Sequence, residues 1–289
     1  MINFLKYRWI YFLISAIVIG AGLFSIFKWG FRYSIDFTGG TNIDYQFSKD
    51  VDSKLVNGIV KETKIQVLSQ KTEKNRLTMK TKVLDEATNS LLKNSLENNL
   101  KAKITVLKYE TVGPTLGKEA IRKTLIASVL AIIGILIYMS FAFKGFNFAF
   151  SAVVAMFHDL LVVVGSYSLL SHFFGAEVDT MFVTAVLTTM SFSVHDTIVI
   201  FDKIREYHNE QGSLDPESAA NRSLTETMVR SLNNSMTIVF MLLALTLMGG
   251  STIRFFILTL LIGTVTGTYS SPFIATPVLV WLEKIRKKK

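Results

Sequence analysis

Two stretches of otherwise apolar sequence carry the same dipeptide, Phe157-His158-Asp159 and Val194-His195-Asp196, and an arginine, Arg230, stands near the start of a third. A carboxylate at the centre of a membrane helix costs roughly 2.5–3.5 kcal/mol on insertion scales, so such acids turn toward a protein interior and are used there. The use that fits best is holding or passing a proton. Thr189, Ser193 and Asp196 recur at i, i+4, i+7, and Thr188, Ser191 and His195 form the adjoining stripe, a polar seam along which water or a proton can reach the acid. Burial disfavours the charged carboxylate and a nearby guanidinium favours it. Asp196 and Arg230, entering at similar depth on consecutive helices, are therefore expected partners whose hold changes with protonation. Counted at ~1.5 Å per residue, Asp159 falls near mid-bilayer and Asp196 in the cytoplasmic third. His158 and His195 are read as hydrogen-bonding neighbours of their acids, with metal binding or proton relay as the sharper alternative.

Six apolar runs would have to position these residues: Trp9–Trp29, Leu125–Phe143, Phe146–His172, Thr180–Phe201, Met228–Met248 and Phe255–Trp281. Each approaches the ~20 residues needed to cross a bilayer. Half of the 289 residues are hydrophobic and gathered in these blocks, which is a membrane composition. The first run begins after Lys6 and Arg8 like a signal peptide, but its apolar core is too long and lacks a small-residue cleavage site, so it is read as an uncleaved span. Gly263 and Gly267 form a GxxxG that allows close helix contact, and Pro272 and Pro277 are expected to kink the last span. The absence of cysteine excludes disulfides and thiolate metal sites.

The net charge of +9 is assigned to membrane orientation rather than to nucleic acid. Lys6, Arg8, Lys144, Lys203, Arg205, Arg222 and the tail from Lys284 to Lys289 put both termini in the cytoplasm. Lys118, Arg122 and Lys123 run against that pattern, as do the lysines of a polar insert, although long loops cross largely regardless of charge.

That insert follows Tyr33-Ser34-Ile35-Asp36-Phe37-Thr38-Gly39-Gly40-Thr41, whose paired glycines suit a sharp turn into a strand. No Lys-Ser/Thr follows, so a phosphate loop is disfavoured. Alternation at Ile43, Tyr45 and Phe47 predicts a strand, and Val51, Leu55, Val56, Ile59 and Val60 a helix. Ile65–Leu68 and Leu77–Met79 read as two more strands, Leu84–Leu96 as a second helix and Ile104–Tyr109 as a last strand. The order β-α-β-β-α-β predicts a ferredoxin-like domain. The organisation is then a first span over 1–32, an extracytoplasmic domain over 33–112, and a five-span bundle over 113–289. Within the bundle a cytoplasmic loop is expected at 202–227, with Pro216 opening a short surface helix after Gly212-Ser213-Leu214-Asp215.

Tyr33–Thr41, the stretch Val112-Gly113-Pro114-Thr115-Leu116-Gly117-Lys118-Glu119-Ala120, Phe157-His158-Asp159 and Ser193–Glu206 together resemble the SecF family, the smaller half of the bacterial SecDF complex. The resemblance implies an α-helical membrane protein, a six-span bundle of resistance-nodulation-division type carrying one small α+β domain. It also implies an accessory, non-enzymatic role in protein export, with proton flow across the cytoplasmic membrane driving late translocation or release of preproteins. The family's functional aspartate falls on Asp196 and its fifth-span arginine on Arg230. Protons are then the coupling ion, with no other cofactor. The implied partners are SecD, which supplies a further aspartate, the SecYEG channel with its associated membrane factors, unfolded preproteins and the bilayer. His195 departs from the family's usual Asn and Ser34 from its usual Gly.

Two rivals come from other classes. An intramembrane aspartyl protease would pair Asp159 with Asp196, but the two fall at different depths and no protease signature flanks them. A half-transporter for lipids or small molecules would share the bundle, but the insert of about 70 residues suits one small α+β unit rather than a porter domain.

Overall fold

A computed structural model describes residues 3–63, 65–143, 145–210, 215–250 and 252–288. Lys144, the Gly212-Ser213-Leu214 stretch and Lys289 lie outside the described residues. The chain forms two compact units, one of residues 33–125 and one of residues 1–32 with 126–289.

A 3-10 turn (Phe4–Tyr7) leads into α1 (Arg8–Trp29), which Gly30 ends at φ 67° before the short β1 (Arg32–Tyr33). In the smaller unit, Ser34 caps α2 (Ile35–Thr38) by accepting from the Asp36 N–H. Gly39 and Gly40 follow at φ 72° and 129°. A Cβ on Gly39 would lie 2.9 Å from the Cα of Pro114, and one on Gly40 only 2.6 Å from the Thr81 carbonyl oxygen. Glycine is therefore required at both positions by conformation and by space. A Cβ on Gly117 would in turn meet the Gly39 nitrogen and the Phe37 carbonyl oxygen at 3.0 Å. The two glycine-bearing motifs, far apart in sequence, thus interlock.

The sheet is built from β2 (Gly40–Phe47), β3 (Val67–Glu73), β4 (Arg76–Thr81) and β5 (Ile104–Val112), in the order β3-β4-β2-β5 with every neighbour antiparallel. Helices α3 (Ser53–Glu62) and α4 (Glu86–Leu100) supply Val56, Ile59, Val60, Leu92 and Leu96 to a core with Ile43, Tyr45, Phe47, Leu77 and Met79. Strand β3 is longer than the run from Ile65 to Leu68 because its outer half, Ser69–Glu73, is a polar edge with no hydrophobic alternation to mark it. Asp44, on the central strand, is buried and accepts from the Arg76 Nε at 2.8 Å.

Among the described residues, six helical segments are long and apolar enough to cross a membrane: Phe4–Trp29, Pro114–Ala142, Phe146–Phe174, Thr180–Asn209, Pro216–Met248 and Arg254–Arg286. Of these, Pro114–Ala142 (α5) begins in the smaller unit and continues into the larger. Next come α6 (Phe146–Phe174), the two-residue β6 (Glu177–Val178), α7 (Thr180–Glu210) and α8 (Pro216–Met248). Most of the stretch expected as a loop at 202–227 is helical, because α7 runs on to Glu210 and α8 starts at Pro216, capped by Asp215. The expected short surface helix and the fifth span are one element of 33 residues. Contacts between the two helices explain the continuation. Tyr207 donates its hydroxyl to Glu226, Arg222 lies 4.6 Å over the Tyr207 ring, and Ala219, Ala220 and Leu224 are buried.

The last span is α9 (Arg254–Ser270), a π turn (Ser271–Ala275) and α10 (Thr276–Lys288). Pro272 has no N–H to give, so the helical ladder breaks there, while Pro277 sits in the first turn of α10, where no partner is needed.

Candidate proton-handling site

Small residues bring four helices of the bundle close together. A Cβ on Gly22 of α1 would lie 2.7 Å from the Cα of Gly165 on α6. Gly263 of α9 receives Thr189, whose Cγ2 would be 2.2 Å from an added Cβ, and Gly267 receives Ser193. Between apolar helices, such close approach supplies the packing that lipid exclusion cannot. Thr189 and Ser193, part of the stripe expected to admit water, are packed closely against α9.

Asp159 sits inside this contact, 3% exposed. Its Oδ2 accepts from the Ser270 hydroxyl of α9 at 2.6 Å and from the Ser193 hydroxyl of α7, while Oδ1 faces the Nδ1 of His158 at 2.8 Å. The other ring nitrogen of His158 lies 2.8 Å from the Ser15 Oγ of α1. Next to this network the π turn turns Ser271 the other way, to the Thr197 Oγ1 of α7 at 2.9 Å. Ser15, Ser270, Ser271 and Tyr269 escaped sequence reasoning. The last three carried one signal, a run of hydroxyls beside Pro272 in an apolar span, and Ser15 carried none.

Asp196 faces the other way, toward α8. It is 8% exposed, and the Ser235 hydroxyl donates to it at 3.4 Å. A cavity of about 20 Å³, room for about one water, is lined by His195, Asp196, Asn234, Ser235, Thr264 and Thr268. His195 itself is exposed and, like Asp196, borders that cavity.

Arg230 is not brought to Asp196. It is exposed on α8, one turn before Asn234, and has no ion-pair or hydrogen-bond partner among the described residues. The reason lies in helix phase: Ser231 and Ser235 turn inward and are buried, which points their neighbour Arg230 outward. Asp159 meets Ser193, three residues before Asp196, so its contact on α7 lies about 4.5 Å along that helix from the second acid. An aspartyl dyad still fails, on other grounds. Both oxygens of Asp159 are engaged by hydroxyl and imidazole groups, and Asp159 does not line the cavity of Asp196.

Comparison with known proteins fits this geometry. Residues 91–285 match the family described as protein export membrane protein SecD/SecF, C-terminal, and residues 24–51 match the SecD/SecF GG motif, which contains Gly39 and Gly40. The protein translocase subunit SecF of Thermobaculum terrenum is 41% identical over 98% of this chain and 95% of its own, and that of Sebaldella termitidis 37% over 99% and 93%. Among solved structures, SecDF of Thermus thermophilus, described as a translocon-associated membrane protein, superposes with a TM-score of 0.83 at 29% identity. That match covers 98% of this chain but 39% of the SecDF chain, so this chain corresponds to a part of it. With the glycine junction, the six apolar helices and near full-length relatives in agreement, the chain belongs to the SecF family.

Proposed function

We propose that this chain is the smaller subunit of a SecDF-type export assembly, and that it couples proton flow across the bacterial cytoplasmic membrane to late translocation or release of preproteins. It acts as an accessory subunit rather than an enzyme. The partner is SecD, and beyond it the SecYEG channel and the unfolded chains leaving it. Both termini face the cytoplasm, on the side where Lys6, Arg8, Lys203, Arg205 and Arg222 gather.

One observation carries this reading. Within apolar helices, Ser191 and His195 of α7 and Arg230, Asn233 and Asn234 of α8 are exposed, and His195 and Asn234 border the cavity of the buried Asp196. An arginine left to lipid at this depth costs roughly 2.5–3.5 kcal/mol, so the face calls for a protein cover. A second membrane subunit that brings its own carboxylate would neutralise Arg230. It would also leave Asp196 to exchange its proton through the small cavity it shares with His195. Protonation removes the charge of Asp196, weakens its attraction for cations across the seam and lets the helices shift. About 2.3 kcal/mol per charge per 100 mV of membrane potential is available to drive the cycle.

The test is export into membrane vesicles under an imposed proton gradient. Asp196→Asn and Arg230→Met are each expected to remove the gradient-dependent stimulation while the chain still inserts and co-purifies with its larger partner. Full stimulation in both variants would overturn the reading.

A further inference from the structure

Asp159 and His158 lie outside the face just described, and among the described residues they are held by hydroxyls from three other helices. Counting the hydrogens of this cluster gives a result that neither residue shows alone. The Tyr269 hydroxyl donates to the Tyr11 carbonyl oxygen at 2.8 Å, so its one proton is committed and its oxygen can only accept. Ser15 lies 3.5 Å from that oxygen and 2.8 Å from the His158 Nε2. Two arrangements follow. If Ser15 donates to Nε2, the ring is protonated only at Nδ1, Asp159 is a carboxylate, and the pair carries one negative charge. If Ser15 donates to Tyr269, it must accept from an Nε2–H, and the Nδ1 to Oδ1 contact of 2.8 Å then holds a further proton. The pair is then neutral overall, and every group in the chain from Asp159 to Tyr11 is satisfied.

The surroundings decide between the two. From α1 the cluster is faced by Ser15 and Tyr11, from α7 by Ser193 with Asp196 one turn on, and from α9 by Tyr269 and Ser270. On α10, Glu283 is engaged by Asn147, about three turns away along α6. Among the described residues His158 is the only basic group within ion-pair distance of Asp159. A net charge buried without a counter-ion is strongly disfavoured, and the neutral arrangement removes it.

We propose that His158–Asp159 is a second proton-holding site of this chain, filled in its resting form, in which the His158 Nε2 carries a hydrogen in addition to the one held between the His158 Nδ1 and the Asp159 Oδ1. Rotation of the Ser15 hydroxyl accompanies its filling and emptying. Filling adds one proton and one positive charge to the pair and breaks no covalent bond. Because Ser193 joins this site to α7 three residues before Asp196, emptying it would place a negative charge beside the first acid. This coupling rests on the function proposed above; the proton count does not.

The experiment is nitrogen-15 magnetic resonance of the full chain, labelled at histidine and held in lipid nanodiscs near neutral pH. The His158 signal is assigned by its loss in His158→Gln or, if that variant does not insert, by its displacement in Ser15→Ala. A protonated Nε2 is the expected result, and an unprotonated Nε2 overturns the proposal. No export is measured, so failure here leaves the reading of Asp196 standing, and that reading fails on the vesicle assay alone.

Discussion

The two His-Asp pairs have the same sequence and opposite surroundings. Asp159 is enclosed by α1, α6, α7 and α9, with hydroxyls and an imidazole from this chain filling both of its oxygens. Asp196, three residues beyond Ser193 on α7, has the Ser235 hydroxyl at 3.4 Å and a water-sized cavity that the exposed His195 also borders. The first site is complete within one chain. The second is open on one side. What separates them is helix phase rather than residue type: on α7, Ser193 looks into the glycine groove of α9, while three residues on Asp196 looks toward α8 and the open seam.

The closed side should break first when it is overfilled. Gly263→Leu would drive side-chain atoms into Thr189, and thermal unfolding in detergent is expected to show a loss of about 3 kcal/mol. Ser191→Leu, on the open face, should leave the isolated chain unchanged in the same measurement but weaken its co-purification with a larger subunit. Ser193→Ala removes one charge-assisted donor to Asp159 and is expected to cost about 2 kcal/mol, with Ser270→Ala similar. Arg230→Met should alter the stability of the isolated chain by less than about 0.5 kcal/mol, because the guanidinium has no partner to lose among the described residues. If Arg230→Met proved as damaging as Ser193→Ala in detergent, the contrast between closed and open sides would not hold.

The smallest effect belongs to the smaller unit. The N-cap Asp85 accepts from Thr88, and this holds its carboxyl below the usual carboxylate value of 3.8. A lowered folded-state value stabilises the fold above the unfolded value and is lost as pH falls through the folded one. Stability of this unit in the full chain should therefore fall on acidification below about pH 4, and Asp85→Asn should flatten that slope, as read by circular dichroism during acid titration.

Much of the architecture was legible because it rests on local periodicity. Long apolar runs marked the six helices, alternation marked β2, and Pro216 and the paired glycines marked an N-terminus and a turn. The extensions of α7 and α8 past their apolar runs were not legible, since Tyr207, Arg222 and Glu226 read as loop polarity until the two helices are laid side by side. In the site, the importance of Asp159 and Asp196 could be read from the cost of a buried acid. Their partners could not: Ser15 and Ser270 are 144 and 111 residues away from Asp159 in sequence. Nothing in a single sequence says which way Arg230 points. Placing it opposite Asp196 assumed matched depth, and rotation about the axis of α8 decided otherwise.

The central claim is that the exposed polar seam of α7 and α8 is covered by another membrane protein. Because the chain has no cysteine, a single photo-cross-linking residue or cysteine at position 191 reports on that seam without interference. In native membranes, cross-linking from Ser191 is predicted to yield an adduct with one larger membrane subunit, and the same probe at Phe141 on the exposed side of α5 serves as the lipid-facing reference. Lipid adducts alone from position 191, indistinguishable from those at 141, would contradict the account.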